Sequence, residues 1–274
     1  MRIKAGREMM YHIFPILIVF LSLFPIVFAI SNSFKELSDA YSTVFEIIPQ
    51  NPTMDNYRHV FSRLPFIRIV SNTLFIATIV TAFKIMTGVL AAYAFVFFEF
   101  KYKNFLYFIL ISTIFIPFTV TMIPNYLTIS QIGLSDTLLG VALPQLSDAT
   151  GIFLIRQAMR TIPKSLIEVC YLEDVSHMKI MRNIVLPIIR PAVVSTGIMF
   201  FINSWNEYVW PVLMLKSKDN YTLSLALQLF ISAEGGTDFT LAMAVSVMTM
   251  VIPILLYLLF QRYIMSTFAT SGIK

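Results

Sequence analysis

Residues 11–30 contain no Asp, Glu, Lys or Arg. A helix of that length is about 30 Å long, the thickness of the hydrocarbon core of a bilayer. Five further stretches, 69–95, 105–124, 137–155, 188–215 and 241–260, are apolar over comparable lengths. With 57% hydrophobic residues and only 13% charged, the chain has too little polar surface to cover a water-facing globule. These features predict an all-α integral membrane protein, with six transmembrane helices in a single domain over residues 1–274. A cleaved leader competes for the first run, but the run exceeds a typical h-region and no small-x-small site stands out, so it is read as span one.

Orientation follows from the basic residues between the spans. With the N-terminus inside, thirteen of the twenty Lys and Arg fall on the inner side, six on the outer side, and Lys84 within a span. Cytoplasmic loops carry the excess of Lys and Arg, so both termini and the polar stretch 164–187 are expected in the cytoplasm. The segments 31–66 and 216–240 then lie outside. Asn32-Ser33-Phe34-Lys35 and the run from Asn51 to Tyr57 carry turn and cap signals, consistent with short surface helices. Residues 125–136 are expected to form a short outer connection.

Enzymatic chemistry finds no footing. There is no Gly-x-x-x-x-Gly-Lys loop, no recognisable nucleophile–base set and no carboxylate pair in a catalytic frame. The lone cysteine, Cys170, excludes an intrachain disulfide, and His12, His59 and His177 make no ligand spacing. The net charge of +5 is dispersed without interleaved aromatics, which argues against nucleic acid. Catalytic, metal and cofactor sites are therefore all predicted absent from this chain. Polar residues within spans are the better clue, because each is costly there and usually faces a partner or a water-filled path. Lys84, about 16 Å from the inner end of span two, either biases a path toward anions or is tied to carbonyls or a partner subunit. Asn203, Trp205, Asn206 and Glu207, with Ser204 and Tyr208, either bind a polyol by hydrogen bonding and ring contact or join helices. Asp148 has the same ambiguity.

The stretch 168–191 is a polar island between apolar runs. Leu166, Ile167, Val169, Cys170 and Leu172 have helical apolar spacing. After a turn, Ser176 is a candidate N-cap, Ile180, Met181, Ile184 and Val185 share one face, and Lys179, Arg182 and Asn183 share another. Leu186-Pro187 is expected to end that second helix. Two short amphipathic helices between spans predict a docking surface for a soluble partner.

The island resembles the Glu-Ala-Ala coupling loop of ABC-importer permeases, with Glu168, Glu173, Val175, Ile184, Leu186 and Pro187 in register. Val169 and Cys170 replace the family's alanines, Glu173 its aspartate, and Asp174 its glycine. If that last position needs a positive φ, Asp tolerates it at a cost of roughly 1 kcal/mol against Gly. Resemblance extends over almost the whole chain to permeases of carbohydrate-uptake importers. Trp205-Asn206-Glu207-Tyr208-Val209-Trp210-Pro211 and Ala233-Glu234-Gly235-Gly236-Thr237 are most similar to the glycerol-3-phosphate and glycerophosphodiester branch.

The resemblance implies the type I importer permease fold and a bacterial inner-membrane complex. Its partners would be a second permease, two ATPase subunits that carry ATP and Mg, and an extracytoplasmic substrate-binding protein. Glu168 would be the charged contact to the ATPase, with Glu173 and Asp174 shaping the turn. The substrate would be glycerol-3-phosphate or a glycerophosphodiester, with a sugar or oligosaccharide as the alternative. A secondary transporter would call for an internal repeat and titratable residues deep in the spans, and an intramembrane enzyme for a metal or nucleophile constellation. Neither pattern is visible.

Overall fold

The structure, a computed structural model, describes residues 2–231 and 239–272; the Ala233–Thr237 segment lies outside them. The described elements are helices: α1 (Arg2–Ser33), α2 (Leu37–Ser42), α3 (Asp55–Arg63), α4 (Phe66–Phe97), α5 (Lys103–Ser112), α6 (Phe118–Gln131) and α7 (Leu138–Ala142), then α8 (Ala149–Met159), α9 (Lys164–Leu172), α10 (His177–Ile180), α11 (Leu186–Trp205), α12 (Val209–Met214), α13 (Leu223–Ile231) and α14 (Phe239–Gly272).

Among the described residues, four helical stretches are long and apolar enough to cross a membrane: Tyr11–Ser33, Phe66–Phe97, His177–Trp205 and Phe239–Tyr263. The other two expected spans are bent pairs, Lys103–Phe115 with Phe118–Gln131 at 97° and Leu138–Gln145 with Ala149–Met159 at 47°. Counting each pair as one crossing gives six. The straight helix expected over 105–124 is thus corrected to two helices. Pro117 causes the break: it has no N–H to give, and it forces Ile116 into extended backbone at φ −85°, ψ 112°. The outer connection expected over 125–136 is shorter than predicted, because α6 continues to Gln131.

Leu186-Pro187 does not end its helix. The chain stays helical from His177 to Trp205, with Met181–Val185 as a π-helical turn. A proline in a helix clashes with the carbonyl four residues back. For Pro187 that residue is Asn183, inside the π turn, whose wider winding relieves the clash.

The described residues cluster into two compact units. One holds residues of 1–66 and 225–251, that is α1 to α3, most of α13 and the first part of α14. In it the polar segment after α1 is stapled by side chains. Lys35 is buried and donates to the carbonyls of Thr43 at 2.6 Å and Glu46 at 2.7 Å. Asn56 Nδ2 donates to the carbonyls of Ser33 and Lys35, each at 2.8 Å. Burial lowers the Lys35 pKa, and the nearby Glu46 carboxylate opposes that shift. Lys35, read as a loop residue, is a structural bolt.

The second unit, residues 67–224 and 252–274, is organised around α4. Near its start, Asn72 Nδ2 donates to the carbonyls of Asp219 at 2.8 Å and Tyr221 at 3.1 Å. Near its end, the Tyr93 hydroxyl lies 3.3 Å from His177 Nδ1. The turn 215–222 and the island 164–187 therefore sit at opposite ends of one helix, about 32 Å apart at 1.5 Å per residue.

Candidate functional site: a coupling loop and a polar break in a span

The island is built on a buried cluster. Ile167 of α9, Ile180 of α10, Met181 and Val185 of the π turn and Ile189 of α11 pack with Val89, Ala92 and Tyr93 of α4 and Ile155 and Met159 of α8. Cys170, Val175, Ile184 and Leu186 are half-buried against the same cluster. The second helix follows the expected faces, with Lys179, Arg182 and Asn183 exposed. Cys170 Sγ donates to the Leu166 carbonyl at 3.2 Å.

The first helix carries more apolar residues than its inner face buries. Ile167 is 3% exposed, whereas Val169 is 57% and Leu172 86% exposed. With exposed Met178, Glu168 and Glu173, they make an outward surface of apolar contacts beside two carboxylates. Sequence spacing alone did not separate these two apolar faces.

The turn between the helices needs a left-handed residue. Asp174 has φ +50°. Its N–H donates to the Tyr171 carbonyl at 3.2 Å, and the Val175 N–H donates to the Cys170 carbonyl at 3.0 Å. This double bond pattern is a Schellman cap, which satisfies the last carbonyls of α9 and returns Val175 to the core. The family's glycine is the unstrained residue for that position. Ser176 takes the N-cap position with extended backbone, but its hydroxyl makes no capping bond. His177 fits among the rings of Tyr93, Phe98 and Tyr171 at centroid distances of 6.1, 4.6 and 5.2 Å. Sequence reasoning missed this role, because Tyr93 and Phe98, at the end of α4, lie some 80 residues before His177.

A second polar arrangement lies midway along α4. Lys84 Nζ is 3.3 Å from Asp148 Oδ2 and 4.9 Å from the ring centroid of Phe200 on α11. Asp148 stands at the 47° bend and caps α8, its Oδ1 accepting from the N–H groups of Thr150 at 2.8 Å and Gly151 at 3.2 Å. A broken helix at membrane depth frees backbone groups that lipid cannot satisfy. Asp148 satisfies two of them, and Lys84 balances the charge this introduces. A Cβ at Gly151 would lie 2.6 Å from the Phe200 ring, so any larger residue there would have to displace that ring. The sequence showed Lys84 as a deep cation; its partner, 64 residues away, came only with the fold.

The Asn203–Glu207 cluster does not converge on one point. Trp205 is fully buried and stacks on Phe201 at 5.9 Å, while Asn203 and Asn206 are exposed. Glu207 Oε1 accepts from the Trp210 N–H at 3.2 Å, at the start of α12. Among the described residues, no group of three or more His, Cys, Asp or Glu is placed to hold a metal ion.

Residues 84–266 match the family model described as binding-protein-dependent transport system inner membrane component. The chain is 28% identical over 267 residues, 95% of each chain, to the sn-glycerol-3-phosphate transport system permease protein UgpE of Yersinia pestis bv. Antiqua (strain Antiqua). It is 26% identical over 260 residues to the arabinooligosaccharides transport system permease protein AraQ of Halalkalibacterium halodurans, covering 94% of this chain and 93% of that one. A solved bacterial ABC transporter involved in the import of the acidic polysaccharide alginate contains a chain of the same fold, with TM-score 0.84 and 20% identity over 96% of this chain and 98% of that one. The chain therefore belongs to the binding-protein-dependent transport system inner membrane component family, as a non-catalytic, membrane-spanning permease subunit of an ABC importer.

Proposed function

We propose that this permease forms half of the translocation path of an ATP-driven importer for glycerol-3-phosphate or glycerophosphodiesters such as glycerophosphocholine. The observation that carries the coupling half of this reading is the two-faced island. Its inner face is anchored in a buried cluster shared with α4, α8 and α11, and its outer face offers Val169, Leu172 and Met178 beside Glu168 and Glu173. A rigidly anchored, outwardly apolar helix suits a cleft in an ATPase subunit, where nucleotide-driven closure moves the spans as a body. Two ATPase subunits would carry ATP and Mg, and a second permease would complete the path. An extracytoplasmic binding protein would meet the 31–66 and 216–240 segments. A related solved structure is an alginate ABC transporter in complex with a substrate-bound periplasmic protein.

The choice of substrate rests on relatives named for glycerol-3-phosphate that align over 95% of the chain. The second reading, an oligosaccharide importer, is favoured by one specific observation: Lys84 is paired with Asp148, so it offers a path no unbalanced positive charge. The test is ATPase stimulation of the reconstituted importer by its binding protein loaded separately with glycerol-3-phosphate, glycerophosphocholine and a maltose-type sugar. Stimulation by a phosphate ester is expected. Stimulation by the sugar alone overturns the substrate and leaves the coupling reading standing.

A further inference from the structure

A cavity of about 820 Å³ opens at the end of α4 that carries the island. Its walls come from the last turn of α4, the start of α5, the end of α8 and the connection into α9. Lys103, Arg156, Arg160 and Lys164 line it, against one carboxylate, Glu99. Lys103 is already engaged, with Glu99 at 3.2 Å and the Phe98 carbonyl at 2.7 Å. Arg156, Arg160 and Lys164 make no ion pair among the described residues.

Arg156 is the most constrained of the three. Its guanidinium carbon lies 3.8 Å from the ring centroid of Tyr107, a cation–π contact. Its Nε is buried and has no hydrogen-bond acceptor. A planar guanidinium binds phosphate oxygens with matching geometry. Phe100 and Phe105, on the same wall, are 40% and 60% exposed. The cavity thus joins three unpaired cations to exposed rings at the level where membrane spans end. Basic pockets between spans at that level hold lipid head groups.

We propose that this cavity binds the phosphate of an anionic phospholipid, with Arg156, Arg160 and Lys164 holding the head group and Phe100 and Phe105 meeting the acyl chains. A carboxylate of an ATPase subunit is the rival occupant, since Lys164 begins α9. The exposed rings favour lipid, because an acidic protein segment has no need of them.

The intact, delipidated importer is titrated in detergent with phosphatidylglycerol, phosphatidylcholine or inorganic phosphate. Retained lipid is read by native mass spectrometry and stability by thermal shift. Phosphatidylglycerol is expected to be retained over phosphatidylcholine and to raise the melting temperature, with phosphate alone inert at equal concentration. Arg160→Gln and Lys164→Gln replace exposed side chains, so the fold survives them. Each is expected to weaken phosphatidylglycerol retention roughly fivefold. Lys216→Gln with Lys218→Gln, at the other end of α4, should leave retention unchanged. Equal retention of both lipids overturns the proposal, as does a full thermal shift with phosphate alone. Loss of the ATPase subunits from the Arg160 and Lys164 variants with lipid retention intact also overturns it and assigns the cavity to the rival.

Discussion

Asp174 shows what one departure from a family pattern costs. At φ +50° it sits where an L-residue with a Cβ is strained and glycine is not. Asp174→Gly should raise unfolding stability by about 1 kcal/mol, and Asp174→Val should lower it by about 1–2 kcal/mol. Thermal unfolding of the detergent-solubilised importer reads both; an unchanged midpoint for the glycine variant would deny the strain. Asp136, also at positive φ, holds a different turn. Burial pushes its carboxyl up, but bonds from the Ser217 hydroxyl, the Lys216 and Ser217 N–H groups and Asn220 outweigh that and hold it at about 2. Because the folded pKa lies below the ordinary 3.8, this stabilisation is full above about pH 4 and is lost as pH falls toward about 2. Asp136→Asn should cost about 1 kcal/mol at neutral pH after solvent screening. It should also flatten the fall in stability between about pH 4 and pH 2, followed by denaturant unfolding across that range. The possible positive φ at Asp174 was readable from the motif. Asp136 carried no comparable sign, because its partners lie some 80 residues further along the chain.

The spans divide by how local their causes are. Long apolar runs made α1, α4 and α14 readable, since length and composition alone demand them. The 97° break at Ile116-Pro117 was also written locally, in a proline that forbids helix at the preceding residue. Pro187 carried the same signal with the opposite outcome, because the π turn before it, packed through Met181 and Val185, keeps the helix continuous. Local chemistry does not decide between a break and a bulge; packing does. The bend before α8 depends on a contact between elements, the Lys84–Asp148 pair. Removing one partner leaves an uncompensated charge in the membrane, so Lys84→Met should destabilise by about 3–5 kcal/mol. Asn at 148 keeps the cap without the charge. The double variant Lys84→Met with Asp148→Asn should therefore recover most of the loss. A double-mutant cycle in chemical unfolding measures the coupling, and additive single costs would show that the two side chains act independently.

At the scale of the whole molecule, the remaining question is which side each polar segment faces. In the unit built on α4, the turn 215–222 and the island 164–187 meet opposite ends of one helix, bonded through Asn72 and Tyr93 respectively. The helical rise between those residues, about 32 Å, matches the hydrocarbon thickness of about 30 Å, so the two segments fall on opposite sides of the bilayer. The excess of Lys and Arg predicts that the island side is the cytoplasmic one. Coupling to an ATPase requires the same side, since ATP is cytoplasmic. The single Cys170 makes a direct test simple. In a Cys170→Ser background, and in membranes that carry the permease without the ATPase subunits so that the island is uncovered, Leu172→Cys places a thiol at an 86% exposed position on the island, and Lys218→Cys places one on the opposite turn. A membrane-impermeant maleimide should label the first only in inside-out vesicles and the second only in right-side-out vesicles. The reverse pattern would invert the topology and remove the island from the compartment where an ATPase can reach it. Labelling of both from one side would mean that α4 does not cross the bilayer between them.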